Sequence, residues 1–183
     1  MAQLKNNTRV ITNEGLFSYA YLTEAHAFGT AEPKFSVSFV FPKTDKETYD
    51  LMQQAVKAAT EAGIERVGKG FKNAKTHVAI HDGDAEKPDD PVYAGCYYVN
   101  CSNREAPKIL GPDKRPIVDD SEIYSGCYGK LSINFYPYSN NGTGVTASLQ
   151  NVLKTRDGKP LGGGRASAEE DFGAPEDDDD FLS

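Results

Sequence analysis

Residues 34–41 (KFSVSFVF) limit the fold more than any other part of the chain. Phe35, Val37, Phe39 and Phe41 recur at every second position, with Lys34, Ser36 and Ser38 between them. A period of two puts one set on each face of a strand, so this is a half-buried strand closed by Pro42. The same period returns in residues 125–138. There Leu131, Ile133 and Phe135 alternate with Tyr128, Lys130, Ser132, Asn134, Tyr136 and Tyr138. Residues 15–22, 76–80, 93–101 and 144–154 read as further strands. Asn140-Asn141-Gly142 reads as the hairpin turn between the last two.

One helix interrupts the strands. Thr44 and Glu47 fit a capping box, and Gly63 fits the position just past a helix C-terminus. Tyr49, Met52, Val56 and Ala59 form one apolar stripe, with Leu51, Ala55, Ala58 and Ala62 beside it. The spacing predicts a helix over residues 45–62. His81-Asp82-Gly83-Asp84 reads as a turn, which also explains the only letters there that would suggest an acid/base pair. Five or six strands with one inserted helix make a mainly β protein. They fit a small OB-fold-like five-stranded barrel better than a parallel α/β sheet.

The net charge of −7 hides an uneven distribution. Glu169, Glu170, Asp171, Glu176, Asp177, Asp178, Asp179 and Asp180 lie in a terminal stretch with no Lys or Arg after residue 168. Removing these eight from the chain's 27 acids leaves 19 against 20 Lys and Arg. The body is about neutral, and the excess charge sits in an acidic tail. Gly162-Gly163-Gly164 supplies a flexible hinge and has no Gly-Lys-Ser/Thr that would make it a phosphate loop. The expected division is therefore an OB-like barrel over 1–161 and a flexible, disordered Gly-rich and acidic tail over 162–183. Those 22 tail residues span ~26 Å on average, enough to cross a body of radius ~15 Å.

No apolar run approaches the ~20 residues of a membrane span, and no apolar signal core opens the chain. Cys96, Cys101 and Cys127 are an odd set that points to reduced thiols packed as small hydrophobes. A zinc site would need four ligands, and the C-x4-C spacing has only His26, His77 and His81 to complete it. No nucleophile, metal or Walker motif occurs, so the expectation is a protein that is not an enzyme and carries no cofactor or metal.

A binding surface is easier to assemble. If Leu131, Ile133 and Phe135 face the core, Tyr128, Lys130, Tyr136 and Tyr138 share the other face. Aromatic rings stack on bases while cations neutralise phosphates. Residues 66–75 carry Arg66, Lys69, Lys72 and Lys75 around Phe71 with no acid, as a basic lip would. Arg104, Lys108, Lys114 and Arg115 add weaker support. Asp177, Asp178, Asp179, Asp180 and Phe181 present an apolar tip behind an acidic run, suited to competing for the protein's own cations or to engaging a partner.

Three stretches carry a family resemblance: Phe35-Ser36-Val37-Ser38-Phe39, the His81-Asp82-Gly83-Asp84 turn after a basic segment, and residues 144–158. Over residues 5–165 the chain resembles the single-stranded-DNA-binding proteins of tailed bacteriophages, of the Enc-phage type. The resemblance implies an OB barrel that coats unpaired DNA in replication or recombination, in the cytoplasm of an infected bacterium. The tail resembles those of replicative single-strand binders, which recruit polymerases, helicases or recombination proteins. Those tails usually end in Phe, whereas here Leu182-Ser183 follow Phe181. Competing readings are a β-rich virion decoration or tail protein, which leaves the acidic end unexplained, and an acidic DNA mimic, which would need its negative charge on the folded surface.

Overall fold

The computed structural model describes residues 1–68, 70–71, 79–139, 142–161 and 172–173. Burial alternates strictly over residues 128–136. The segment 34–41, expected to be half-buried, is instead buried on both faces from Val37 to Phe41, because Tyr93 and Tyr98 pack with Val40 on its second face. Among the described residues nine strands form: β1 (Gln3–Lys5), β2 (Arg9–Ile11), β3 (Gly15–His26), β4 (Lys34–Pro42), β5 (His81–Asp82), β6 (Cys96–Asn103), β7 (Lys108–Leu110), β8 (Tyr128–Tyr138) and β9 (Gly144–Arg156). In β8, Leu131, Ile133 and Phe135 are buried, while Tyr128, Lys130, Ser132, Asn134 and Tyr136 are not.

Five of these strands close a ring. β3 pairs with β4, β4 with β6, β6 with β9, β9 with β8, and β8 returns to β3. Only the β6–β9 contact within the ring is parallel. Numbered along the chain, the ring strands run 1-2-3-5-4-1, a five-stranded closed barrel of the OB type. β2 and β1 extend the sheet from β8, β7 extends it from β9, and β5 pairs with β6.

The barrel interior is aromatic. Phe17, Phe39 and Phe41 are fully buried, with Phe39 edge-on to Phe17 at 6.3 Å and stacked on Phe41 at 5.7 Å. Each such ring contributes on the order of 2–3 kcal/mol by leaving water.

The single long helix, α1 (Lys46–Val67), joins the second ring strand to the third. Its buried line is Thr48, Met52, Ala55, Ala59 and Gly63, which takes members from both expected apolar stripes. Three details correct the sequence reading. The N-cap is Asp45 rather than Thr44: its carboxylate accepts from the Thr48 amide at 3.1 Å. Glu47 does not complete a capping box; it accepts from the Ala2 amide and the Asn13 side chain, tying the N-terminal residues to the helix. The helix also runs past Gly63 to Gly68, whose φ of 89° ends it. Gly63 is interior because the Phe71 ring packs on its Cα, and a Cβ there would lie 2.6 Å from that ring.

The stretch after the helix departs from expectation as well. Residues 76–78 of the anticipated strand lie outside the described residues. His81 and Asp82 pair with Tyr98 and Tyr97, and Asp82 caps a helical turn at Gly83–Glu86. Lys43 holds that turn, with its ammonium 2.8 Å from both Asp82 and Asp84. β6 starts at Cys96, three residues later than expected. Tyr93 is instead buried before it, and its hydroxyl donates to Ser18 Oγ at 2.9 Å. Cys101 and Cys127 are buried free thiols and Cys96 is half-buried. Burial raises the pKa of all three, which keeps them as thiols.

Candidate nucleic-acid interface

The outward face of β4 and β6 is divided in two. Tyr93 and its neighbours cover one half, where Val40, Tyr93 and Tyr98 form a small second core with Leu16, Val92 and Cys96. The other half stays open, because Ser36 and Ser38 of β4 sit beside Asn100 and Ser102 of β6 with no apolar side chain to attract a cover. This is the polar set of the alternating segment with which the sequence begins to specify a fold.

A groove of about 550 Å³ lies over the open half. Ser36, Ser38, Asn100, Ser102 and Thr146 line it, and Tyr19, His26, Phe28 and Lys34 stand at its sides. The Ser38 hydroxyl is buried in the groove without a hydrogen-bond partner. Glu32 also lines the groove but is paired with Arg104 at 2.8 Å, so its charge is compensated.

The aromatic side is built by an irregularity in β3. In regular alternation Phe17, Tyr19 and Tyr21 would share one face. Tyr19 instead has φ 47°, and the β3–β4 register shifts between Ser18 and Tyr21. A bulge of this kind re-aims the side chains that follow it. Phe17 stays in the core, Tyr19 is 53% exposed, and Leu22 takes the next core position. Tyr21 stacks on His26 at 4.1 Å, and His26 meets Phe28 edge-on at 4.7 Å. Lys87 sits 5.4 Å from the Tyr19 ring and 4.9 Å from Tyr93, so a cation backs the exposed tyrosine.

The anticipated contact residues scatter around this groove. Tyr136 pairs across the strands with Thr146, which lines the groove, and is 43% exposed. Tyr138 lies two residues on, half-buried. Arg66 reaches the same end of β8, donating to the Pro137 carbonyl at 2.9 Å. Tyr128 is elsewhere, eight residues or roughly 26 Å along the strand from Tyr136. Its half-buried ring carries the Arg156 guanidinium at 3.7 Å, and that arginine is paired with Glu14 at 2.9 Å. Lys130 lies between, on a different depression.

Phe71 requires a correction. It is fully buried and belongs to the hydrophobic core, so it is not a ring on a basic lip. Lys69, Lys72 and Lys75 lie outside the described residues, as do Asp177, Asp178, Asp179, Asp180 and Phe181. Sequence reasoning missed Tyr19, His26, Phe28 and Lys34. The pairing of an aromatic-rich strand with a Phe-Gly loop was the available signal for the first three.

Position on the barrel gives the groove its meaning. OB barrels bind oligonucleotides on the face of ring strands two and three, flanked by the loops joining strands one to two and four to five. Here those strands are β4 and β6, and residues 27–33 join β3 to β4. Between β8 and β9 the described residues are Ser139, Gly142 and Thr143, the anticipated turn residues Asn140 and Asn141 lying outside them. Among the described barrel residues, the exposed large aromatic side chains are Tyr19, Phe28 and Tyr136, all around this one face.

The family model described as Enterobacter phage Enc34, ssDNA-binding protein, matches residues 8–182. The chain belongs to this family. It is 33% identical over 172 residues to the protein p50 of Acyrthosiphon pisum secondary endosymbiont phage 1, covering 90% of this chain and 89% of that one. Its fold is similar to that of the single-stranded DNA-binding protein from bacteriophage Enc34 in complex with ssDNA. That match has a TM-score of 0.69 and 24% identity over 88% of this chain and 93% of the other. The bacteriophage T7 single-stranded DNA binding protein gp2.5 shares the fold at a TM-score of 0.64, with 16% identity over 90% of this chain and 92% of that one.

Proposed function

We propose that the protein is a sequence-independent, non-enzymatic single-stranded-DNA-binding protein that coats unpaired phage DNA during replication or recombination in the infected cell. The observation that carries this reading is the cluster of exposed rings, Tyr19, Phe28 and Tyr136, around the polar groove on the OB binding face. Bases stack on the rings, and Lys34 lies within reach of the backbone phosphates. Stacking and phosphate neutralisation select no base, because every base has a π-face and every nucleotide a phosphate. A virion structural role would leave the groove unexplained.

The acidic tail completes the proposal. Leu161, the last described residue before it, is held by its amide to the Ser125 carbonyl at 2.9 Å. Leu161 lines a cleft beside the groove that it shares with Tyr19. In this reading the tail competes with phosphates for the cations of that face, and the position of Leu161 supports it. Asp177, Asp178, Asp179, Asp180 and Phe181 are then free for polymerase, helicase or recombination partners when DNA displaces them.

A salt titration of oligo-dT affinity by fluorescence anisotropy tests the reading. Affinity should fall linearly in log-log form as salt rises, by ~0.7 per phosphate neutralised. A flat response, or tighter binding to duplex than to single strand, would refute it.

A further inference from the structure

A second depression, of about 320 Å³, lies on the outer face of β2, β8 and β9 and is lined by Lys5, Arg9, Ile11, Leu110, Lys130, Ser132, Asn151 and Leu153 among others. Three cations and no acid line it. Lys5, Arg9 and Lys130 make no hydrogen bond or salt bridge with a described residue, although Lys130 feels the carboxylate of Glu14, which is itself paired with Arg156. The Arg9 Nε is shielded from solvent and unpartnered, which a protein rarely leaves without a use.

The ladder joining this depression to the first groove is equally open to an anion. Along the outer face, β8 offers Tyr136, Asn134, Ser132 and Lys130, paired with Thr146, Ser148, Asn151 and Leu153 of β9. None of these is acidic. Arg9 is registered opposite Asn134, so the cation sits at the edge of the same track. Tyr136 and Lys130 are six residues, or roughly 20 Å, apart. The other unpartnered buried side-chain atoms among the described residues are Ser38 Oγ in the first groove and Thr143 Oγ1 in the β8–β9 loop.

We infer that Lys5, Arg9 and Lys130 form a second subsite that holds the phosphodiester backbone of the DNA strand after it leaves the aromatic groove. The inference rests on the single-stranded-DNA reading and extends it. The first groove takes bases on rings. The second has no exposed ring at its centre and neutralises phosphates, so it is felt only by a strand long enough to follow the β8–β9 track.

The test compares oligo-dT of about 6 and about 20 nucleotides on the full chain. The variants are Lys5→Gln with Arg9→Gln and Lys130→Gln, and separately Asn151→Glu, which places a carboxylate on the exposed track. Three lost phosphate contacts should lower the long-oligonucleotide salt slope by ~2 and weaken its binding about 100-fold at ~0.1 M salt. The short oligonucleotide should bind within about twofold of wild type, and Asn151→Glu should weaken the long one alone. Unchanged long-oligonucleotide affinity in both variants overturns the subsite. So does an equal loss on both lengths, which would assign these cations to the first groove. Tighter binding of both lengths also overturns it, because the depression would then hold the acidic tail instead. A wild-type chain that binds neither oligonucleotide overturns the single-strand reading itself.

Discussion

Tyr19 offers a substitution in which stability and binding should separate. Its φ of 47° costs an L-residue about 1–2 kcal/mol, which glycine does not incur. Tyr19→Gly removes that strain. It also loses the Lys87 contact at 5.4 Å, which is worth about 0.5–1 kcal/mol at an exposed site, and adds about 0.5–1 kcal/mol of unfolded-chain entropy. The three terms nearly cancel, so fold stability should stay within about 1 kcal/mol, or a Tm shift of no more than about 2–4 °C. Single-strand binding loses one stacking platform, about 1–3 kcal/mol, a roughly 5- to 150-fold rise in Kd for oligo-dT by anisotropy. Thermal melting and anisotropy on one preparation read both quantities. If Kd stays within about twofold of wild type, the strained ring is not a base platform and the groove assignment fails.

Three further outcomes follow from the same structure. Phe71→Ala should destabilise the fold by about 3–5 kcal/mol in urea melts by opening a cavity against Gly63, whereas a surface ring would cost almost nothing. Asp82 and Asp84 are both held below the usual carboxylate range, chiefly by hydrogen bonds from Lys43, whose own pKa is raised by them. Their contribution to stability is therefore present above the ordinary carboxylate pKa and lost as pH falls through the lowered values. Asp82→Asn with Asp84→Asn should be less stable than wild type at neutral pH, and acid melts should show the gap closing as pH falls through the lowered carboxylate range. Deleting residues 162–183 should lower the Kd for oligo-dT at low salt and narrow that gain as salt rises; an unchanged or higher Kd would remove tail competition.

The barrel was legible because its walls repeat with the pleat. Residues 34–41 and 125–138 declare which side chains point inward, as Phe39 and Ile133 do, but not that Tyr93 and Tyr98 would bury Val40 on the opposite face of the first of them. The interval between ring strands two and three likewise shows a helix through its apolar spacing. The helix ends were less legible. Asp45 and Thr44 are equally good caps by type, and Gly63 resembles a stop signal until Phe71 is seen packed on it.

The proposed DNA face was half legible. The outward exposure of Tyr136 followed from alternation alone. Tyr19, Phe28 and His26 did not, because the bulge at Tyr19 breaks the period from which a face is inferred. Phe71 was misread for the converse reason: four cations around a ring look like an exposed lip, while the ring itself turns inward to the core.

The amino-acid order by itself determined the strand faces, the helix and the separation of a neutral body from an acidic end, since these depend on neighbours within a few residues. Closure of the ring brought residues 19, 28, 38, 100 and 136 to one surface, a placement only the tertiary structure could decide. Local periodicity fixes the direction in which a side chain points, but what it points at is set by strands paired across more than a hundred residues of sequence.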